Sequence, residues 1–383
     1  MISLRKILMT FVLLCFAVLS FGQNNALENK SIILSIPDEK TQSVNSLSKY
    51  IEENFETDSE KLNAIYTWIT YNISYDIKNL REDIFFDDME KVLSDVLKNK
   101  KGVCMHYSLL FDTLAKKSEI ESYIVFGYTK QNDTIMNLPH AWNICRIDST
   151  WKVFDATWGA GYIMNDKFFK DANYKYFSID PGDMIKTHMP YDPLWQLSFY
   201  PITNQEFYND IYLVGKDSKR FFNYNDTIEF YKNKDNIEIL KARYRRVEGN
   251  GIVNSMIIEE LTIIDNEILH YETVNITNYY NKAVEEINKA ANNLNIFIDY
   301  RNKQFQNIND EDLIKIINSS KNHCVNAELI LDNIQSDDKN IMSSVSDLKK
   351  FIIDMKNNIL EQKKFLNKYV TTPEYRRKQL FYR

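Results

Sequence analysis

"KGVCMHYSLLFDTLAKK", residues 101–117, sets Cys104 directly after Gly102 and Val103, at the point where an apolar helical pattern begins. Three readings compete: a nucleophile, a metal ligand paired with His106, or a cysteine that fills space. Counted from Val103 at about 100° per residue, Val103, Tyr107, Leu110, Phe111 and Leu114 share the buried stripe, with Cys104 on one flank and His106 on the other. Residues two apart on a helix do not face each other. His106 is therefore a poor base for Cys104, and a Cys-x-His metal site needs ligands from elsewhere. A nucleophile is well served here, because the unpaired N–H groups of a first helical turn favour negative charge and lower a thiol pKa. The same N–H groups can donate to the oxyanion formed when a thiolate attacks a carbonyl.

Working outward, residues 38–76 repeat apolar positions at helical spacing, with Val44, Leu47 and Ile51 on one stripe and Leu62, Ile65, Tyr66 and Ile69 on the next. A short helix is expected over 88–97. After Ser118 the period changes: "ESYIVFGYT" (121–129), "HAWNICRI" (140–147) and "WKVFDATW" (151–158) read as strands, the last after the turn residues "DST". Helices first and an antiparallel sheet second is the order of an α+β domain. Residues 167–201 show no clean period and are expected to be an irregular, packed extension of that domain.

Five of the seven prolines lie between Pro139 and Pro201 and none between Pro201 and Pro373, so the second half is expected to be helical. Its seams alternate spacings of four and three: Ile257, Leu261, Ile264, Ile268 and Tyr271; Leu313, Ile317, Ser320, Cys324, Ala327, Leu331 and Ile334; Ile341, Val345, Leu348, Ile352, Met355 and Ile359. Such seams belong to a coiled coil or a long helical bundle. Breaks are expected at "EGNG" (248–251) and "SDDKN" (336–340). Cys324 sits on a seam and reads as core; His323 beside it reads as solvated.

The N-terminal "MISLRKILMTFVLLCFAVLSFGQNN" has Arg5 and Lys6 ahead of an apolar run closing on small residues, the pattern of a cleaved secretory signal ending near Gly22. The run is too short for a stable membrane span. Domains are accordingly expected at 1–22 (signal), 38–201 (α+β), 202–370 (helical bundle) and 371–383 (tail), in a secreted or periplasmic protein. Loss of the two N-terminal cations would take the net charge from −6 to −8, which disfavours a nucleic-acid partner. Three cysteines, Cys104, Cys145 and Cys324, would remain, too few for a disulfide framework and odd in number.

A thiol nucleophile needs a base and a group that orients it. Of the five histidines, His140 begins "HAWNICRI", and the neighbouring "WKVFDATWGAG" carries Asp155 among apolar residues. A buried carboxylate is costly without a partner, and an imidazole would supply one. The other reading is a surface hairpin, with His140 exposed and Asp155 capping a turn. Cys145, an odd number of residues from His140, points to the opposite face of the strand.

"GVC", "HAWN" and "WKVFDATWGAG", in that order, resemble the transglutaminase-like superfamily, as does "AIYTWITYNISYD" (64–76). "YFSIDPGDMIKTHMPYDPLWQL" is similar to the continuation found in its kyphoscoliosis-peptidase branch. The resemblance covers residues 40–200 and implies a papain-like α+β core, with the helical bundle region following it. It implies Cys104 as nucleophile, His140 as base and Asp155 as orienting carboxylate, working through a thioester on a peptide or protein amide. Hydrolysis is slightly preferred over transfer to an amine. Trp158 and Gly159 would shape the site wall, Trp142 the substrate groove, and His106, where relatives often have glycine, the specificity. No cofactor and no metal are implied. A peptide-binding scaffold that turns nothing over, with the helical region joining a protein partner, is the competing expectation.

Overall fold

The computed structural model describes residues 30–79, 88–212, 221–232 and 234–382. The expected signal segment, 1–22, lies outside them. The chain divides into two compact units, up to Asp265 and from Asn266 onward.

The first unit begins with α1 (Val44–Asn54) and α2 (Asp58–Asn72). Each opens on a reciprocal capping box, Ser43 with Ser46 and Thr57 with Glu60, which satisfies N-terminal N–H groups that the helix itself leaves unpaired. Strand β1 (Ser74–Tyr75) follows, then α3 (Met89–Asn99), β2 (Lys101–Gly102) and α4 (Cys104–Lys117). β1 and β2 pair in parallel, with Tyr75 opposite Gly102, which brings the end of α2 beside the start of α4. Tyr107, Leu110, Phe111 and Leu114 are fully buried, as the stripe predicts, against Leu62, Ile65 and Ile69.

β3 (Ser122–Gln131), β4 (Thr134–Ile147) and β5 (Thr150–Phe154) form an antiparallel meander. After it come α5 (Ala156–Ala160), the hairpin β6 (Gly161–Met164) and β7 (Lys167–Lys170), α6 (Pro181–Met184), and β8 (His188–Pro190). The main sheet runs β5-β4-β3-β8.

Three expectations change here. β4 begins at Thr134 rather than His140 and contains Pro139, paired with Tyr128. β5 joins β4 only from Asn143 onward, so Pro139 sits where β4 is an edge, the place a sheet tolerates a residue without an N–H. β5 stops at Phe154, so Asp155 is the N-cap of α5 rather than a mid-strand residue. The segment 167–201 is not merely irregular, because its β8 pairs with β3 and completes the sheet. A three-residue strand is too short to show a period.

The unit continues through α7 (Asn204–Tyr208), α8 (Tyr224–Tyr231) and α9 (Asn236–Gly249). These helices are tied to the sheet region: the Tyr128 hydroxyl donates to Asn204 Oδ1 at 2.9 Å, and Arg246 makes a two-pronged ion pair with the buried Asp192 at 2.8 and 2.6 Å. The boundary expected at residue 201 is therefore not where the compact units part. The division falls within α10 (Ser255–Asn302).

The second unit packs the later part of α10 with α11 (Asp310–Leu331) and α12 (Lys339–Thr371). The expected seams are its core: Leu313, Ile317, Cys324, Ala327, Leu331, Val345 and Ile352 are all 2% exposed or less. The breaks fall near Gly249 and residues 332–338 as expected, with a further one after Asn302, where Gln304, Phe305 and Asn307 take left-handed backbone angles. His323, expected to be solvated, has Nδ1 2.8 Å from the Glu286 carboxylate.

Candidate active site

Cys104 is the first residue of α4, and its N-cap, Val103, has no side chain able to cap. His106 Nδ1 instead accepts the Val103 backbone N–H at 3.1 Å. Its ring also lies over Gly102, where a Cβ would come within 2.5 Å of His106 Cβ. These contacts tie His106 to the start of the helix, and its side chain stays partly exposed.

His140 lies on β4 directly opposite Gly127 of β3, and Gly127 is in turn opposite Pro190 of β8. His188, two residues before Pro190, shares that face of the sheet. A Cβ on Gly127 would lie 2.7 Å from Trp142 Cη2 and 2.1 Å from the Met189 carbonyl oxygen. The two outer histidines converge on this face, with ring centroids 5.6 Å apart.

They converge on Asp155, which is completely buried. Its Oδ1 accepts the backbone N–H groups of Thr157 at 2.8 Å and Trp158 at 3.0 Å, capping α5. Its Oδ2 lies 2.8 Å from His140 Nε2 and 3.1 Å from His188 Nε2. Asp155 therefore caps a helix with one oxygen and partners the imidazoles with the other, and the expected alternative of a surface hairpin with an exposed His140 does not form, since His140 is buried. Burial pushes the carboxyl up, yet His140 and then His188 outweigh it and hold Asp155 below the usual carboxylate range. Burial likewise disfavours the charged form of His140, and the Asp155 charge reverses this and raises the imidazole to about 10. His188 goes the other way: burial dominates and keeps it neutral, its Nδ1 2.8 Å from the Thr187 hydroxyl.

With Nε2 committed to Asp155, the other His140 ring nitrogen is left for Cys104. Burial pushes the Cys104 thiol up, but a hydrogen bond from His140 and the charge of that ring bring it below its ordinary value. Tyr75 neighbours the same sulfur, and its own pKa is raised, first by burial and then by the charge of the thiol. Cys104 stands outside the tight group formed by His140, Asp155 and His188, whose donor atoms all lie within 4.8 Å of one another, and meets that group at His140.

Two histidines and an aspartate are donors that zinc accepts. Ligands about 2.0–2.1 Å from a tetrahedral zinc stand roughly 3.3 Å apart. The 2.8 Å between His140 and Asp155 is instead a charge-assisted hydrogen bond.

Of the remaining expected residues, Trp142 is 2% exposed and stacks on His140, so it backs the ring rather than lining a groove. Gly159 packs inward, where a Cβ would meet Tyr66 Oη at 1.9 Å. Trp158 is half-buried, with centroids 5.8 Å from His140 and 4.5 Å from His188, and so roofs the hydrogen-bonded group. Cys145 and Cys324 are fully buried, and burial raises both thiols, whereas Cys104 is partly exposed.

His188 was missed, since it lies on a three-residue strand too short to show a period. One signal was available: a glycine inside the strand "YIVFGYT" marks a close approach at Gly127.

Comparison with known proteins adds the following. Residues 45–156 match the transglutaminase-like superfamily. Human kyphoscoliosis peptidase is 30% identical over 164 residues, 41% of this chain and 24% of that protein. Drosophila melanogaster Hillarin is 26% identical over 201 residues, 46% of this chain and 24% of the relative. Cytokinesis protein 3 of Schizosaccharomyces pombe is 23% identical over 172 residues, 43% of this chain and 19% of the relative. The chain spans about a quarter or less of the length of these curated relatives. Among the described residues, no helix is long and apolar enough to cross a membrane.

Proposed function

We propose that the transglutaminase-like domain of this chain performs thiol-dependent acyl chemistry on peptide or protein amides, with Cys104 as nucleophile, His140 as base and Asp155 as orienter. The observation that carries this is the buried His140–Asp155 hydrogen bond at 2.8 Å, which leaves the second ring nitrogen to act on a thiol already below its ordinary pKa.

In this reading the Cys104 thiolate attacks the amide carbon, and the developing oxyanion draws on N–H groups at the start of α4. The imidazolium passes its proton to the departing amine, leaving a thioester on Cys104. Asp155 keeps His140 in the tautomer that does this and offsets its charge. Water resolves the thioester in a hydrolase, and a primary amine does so in a transferase. Hydrolysis is preferred on the likeness to kyphoscoliosis peptidase. Export by the segment 1–22 and a protein partner for the helical unit belong to the same reading.

A second reading is favoured by one observation, that Cys104 stands outside the tight group. There the domain holds a peptide without turning it over.

Incubation with a peptide library, with and without a primary amine, separates these by product mass. A product heavier by the mass of the amine less the 17 Da of released ammonia, or a cleaved peptide, each abolished by Cys104→Ala, supports the enzyme; peptide bound but recovered intact by a protein whose Cys104 is reduced and accessible supports the binder.

A further inference from the structure

The buried hydrogen-bonded group at Asp155 contains a member that a Cys, His, Asp scheme does not use. We propose that His188 is a positioning residue: as a second N–H donor on Asp155 Oδ2 it pins the carboxylate that orients His140, and so sets the pH range over which Cys104 reacts. The inference rests on the role proposed above for His140 and Asp155.

The geometry determines the protonation of His188. Asp155 is ionised and accepts at Oδ2, so His188 donates through Nε2 at 3.1 Å. The neutral ring then accepts at Nδ1, where the Thr187 hydroxyl lies at 2.8 Å. His188 is 1% exposed, boxed by Trp142 at 5.1 Å and Trp158 at 4.5 Å between ring centroids. It therefore has neither the freedom to rotate nor a route to substrate, and acts only through Asp155. Asp155 in turn has both oxygens doubly occupied, two backbone N–H groups on Oδ1 and two imidazoles on Oδ2. A carboxylate so held neither rotates away from His140 nor gains a proton readily.

The other ionisable groups facing Asp155 are Cys104 and Tyr107 from α4, His140 from β4, Tyr66 from α2 and Tyr75 from β1. Burial first, and neighbouring charge second, push all three phenols above their ordinary value, so they stay neutral at working pH. The ring of Tyr176 lies near His188, 6.2 Å between centroids. Among the described residues, only His140 and His188 supply cationic or N–H side-chain partners to Asp155.

The test is the rate of Cys104 alkylation by chloroacetamide on the full chain from pH 4 to 10, followed by intact mass. In His188→Leu the low-pH limb is expected to move up by about one unit, with the rate at pH 5 falling about tenfold, the size expected for one lost hydrogen bond to a charged group. His188→Gln keeps a donor at similar reach and is expected to recover most of that loss. Thr187→Val retains His188 but releases its tautomer, and should shift the limb in the same direction by less. This variant carries the test if His188→Leu does not fold.

Superimposable profiles for wild type and His188→Leu, or for wild type and Thr187→Val where His188→Leu does not fold, overturn the proposal. So does a Gln variant as slow as the Leu variant, or protection of wild-type Cys104 by added zinc, which would make the group a metal centre. Alkylation needs no substrate. A shifted limb in a protein that turns over no amide would sink the proposed function and leave the role of His188 standing.

Discussion

Gly127 stands directly opposite His140 across β3 and β4, where the Trp142 ring and the backbone of β8 close in on the middle strand. An added methyl would meet the Met189 carbonyl oxygen at 2.1 Å and Pro190 Cα at 2.8 Å, both backbone atoms that cannot swing aside. Gly127→Ala is therefore expected to displace β8 and destabilise the fold by about 1–3 kcal/mol, as overpacking does. Denaturant unfolding measures the stability, and Cys104 alkylation should slow with it. An unchanged midpoint would mean that β8 adapts.

Among the described cysteines only Cys104 is partly exposed and has a lowered thiol pKa. Iodoacetamide at pH 6 is expected to modify Cys104 in the native chain at least tenfold faster than Cys145 or Cys324, because thiolate fraction and access control the rate. Peptide mapping after brief labelling checks this. Label arriving first at Cys145 would place the nucleophile elsewhere.

Asp155→Asn is expected to lower any Cys104-dependent turnover by about 10³–10⁴-fold, by reversing the His140 tautomer. It should also change how stability depends on pH. The folded-state pKa of Asp155 is depressed, so its contribution is present above about 3.8 and is lost as pH falls below that value. That of His140 is raised from 6.5 to about 10, so its contribution is present below 6.5 and is lost as pH rises towards 10. Wild type should lose Tm on both sides, while Asp155→Asn should be flatter at each end. Identical Tm profiles would show that neither shift is coupled to folding.

Tyr75 neighbours the Cys104 sulfur, and the charge there adds to burial in raising the phenol. Tyr75→Phe removes a hydroxyl that can donate to the thiolate and is expected to raise the thiol pKa by about one unit, the scale of one hydrogen bond to a charged group. The absorbance of the thiolate near 240 nm, followed against pH, gives the value. A shift downward instead would mean that the hydroxyl accepts from the thiol.

In the helical unit, Phe305 is 4% exposed and packs edge-on against Tyr369, with centroids 4.7 Å apart, and against Phe297 and Phe381. Phe305→Ala is expected to cost about 3–5 kcal/mol through the cavity it leaves. Far-ultraviolet circular dichroism under denaturant should show the loss, with Cys104 alkylation in the native protein unchanged.

The local patterns were readable without coordinates. Periodicity placed the helix that begins at Cys104, the buried stripe from Tyr107 to Leu114, and the seams through Cys324 and Ile352, because burial of one face recurs at the helical repeat. Residue chemistry singled out His140 and Asp155, since a carboxylate among apolar neighbours requires a partner.

What only the tertiary structure decided is how strands distant in sequence come together. His188 lies 33 residues from Asp155 and 48 from His140, on a strand too short to carry a period, and it joins them because β8 pairs with β3 across a glycine. The same holds for Trp142: its residue type suits a substrate site, but it is buried and stacks on the His140 ring. Side-chain identity limits what a residue can do, and the neighbours supplied by non-local pairing select which of those things it does.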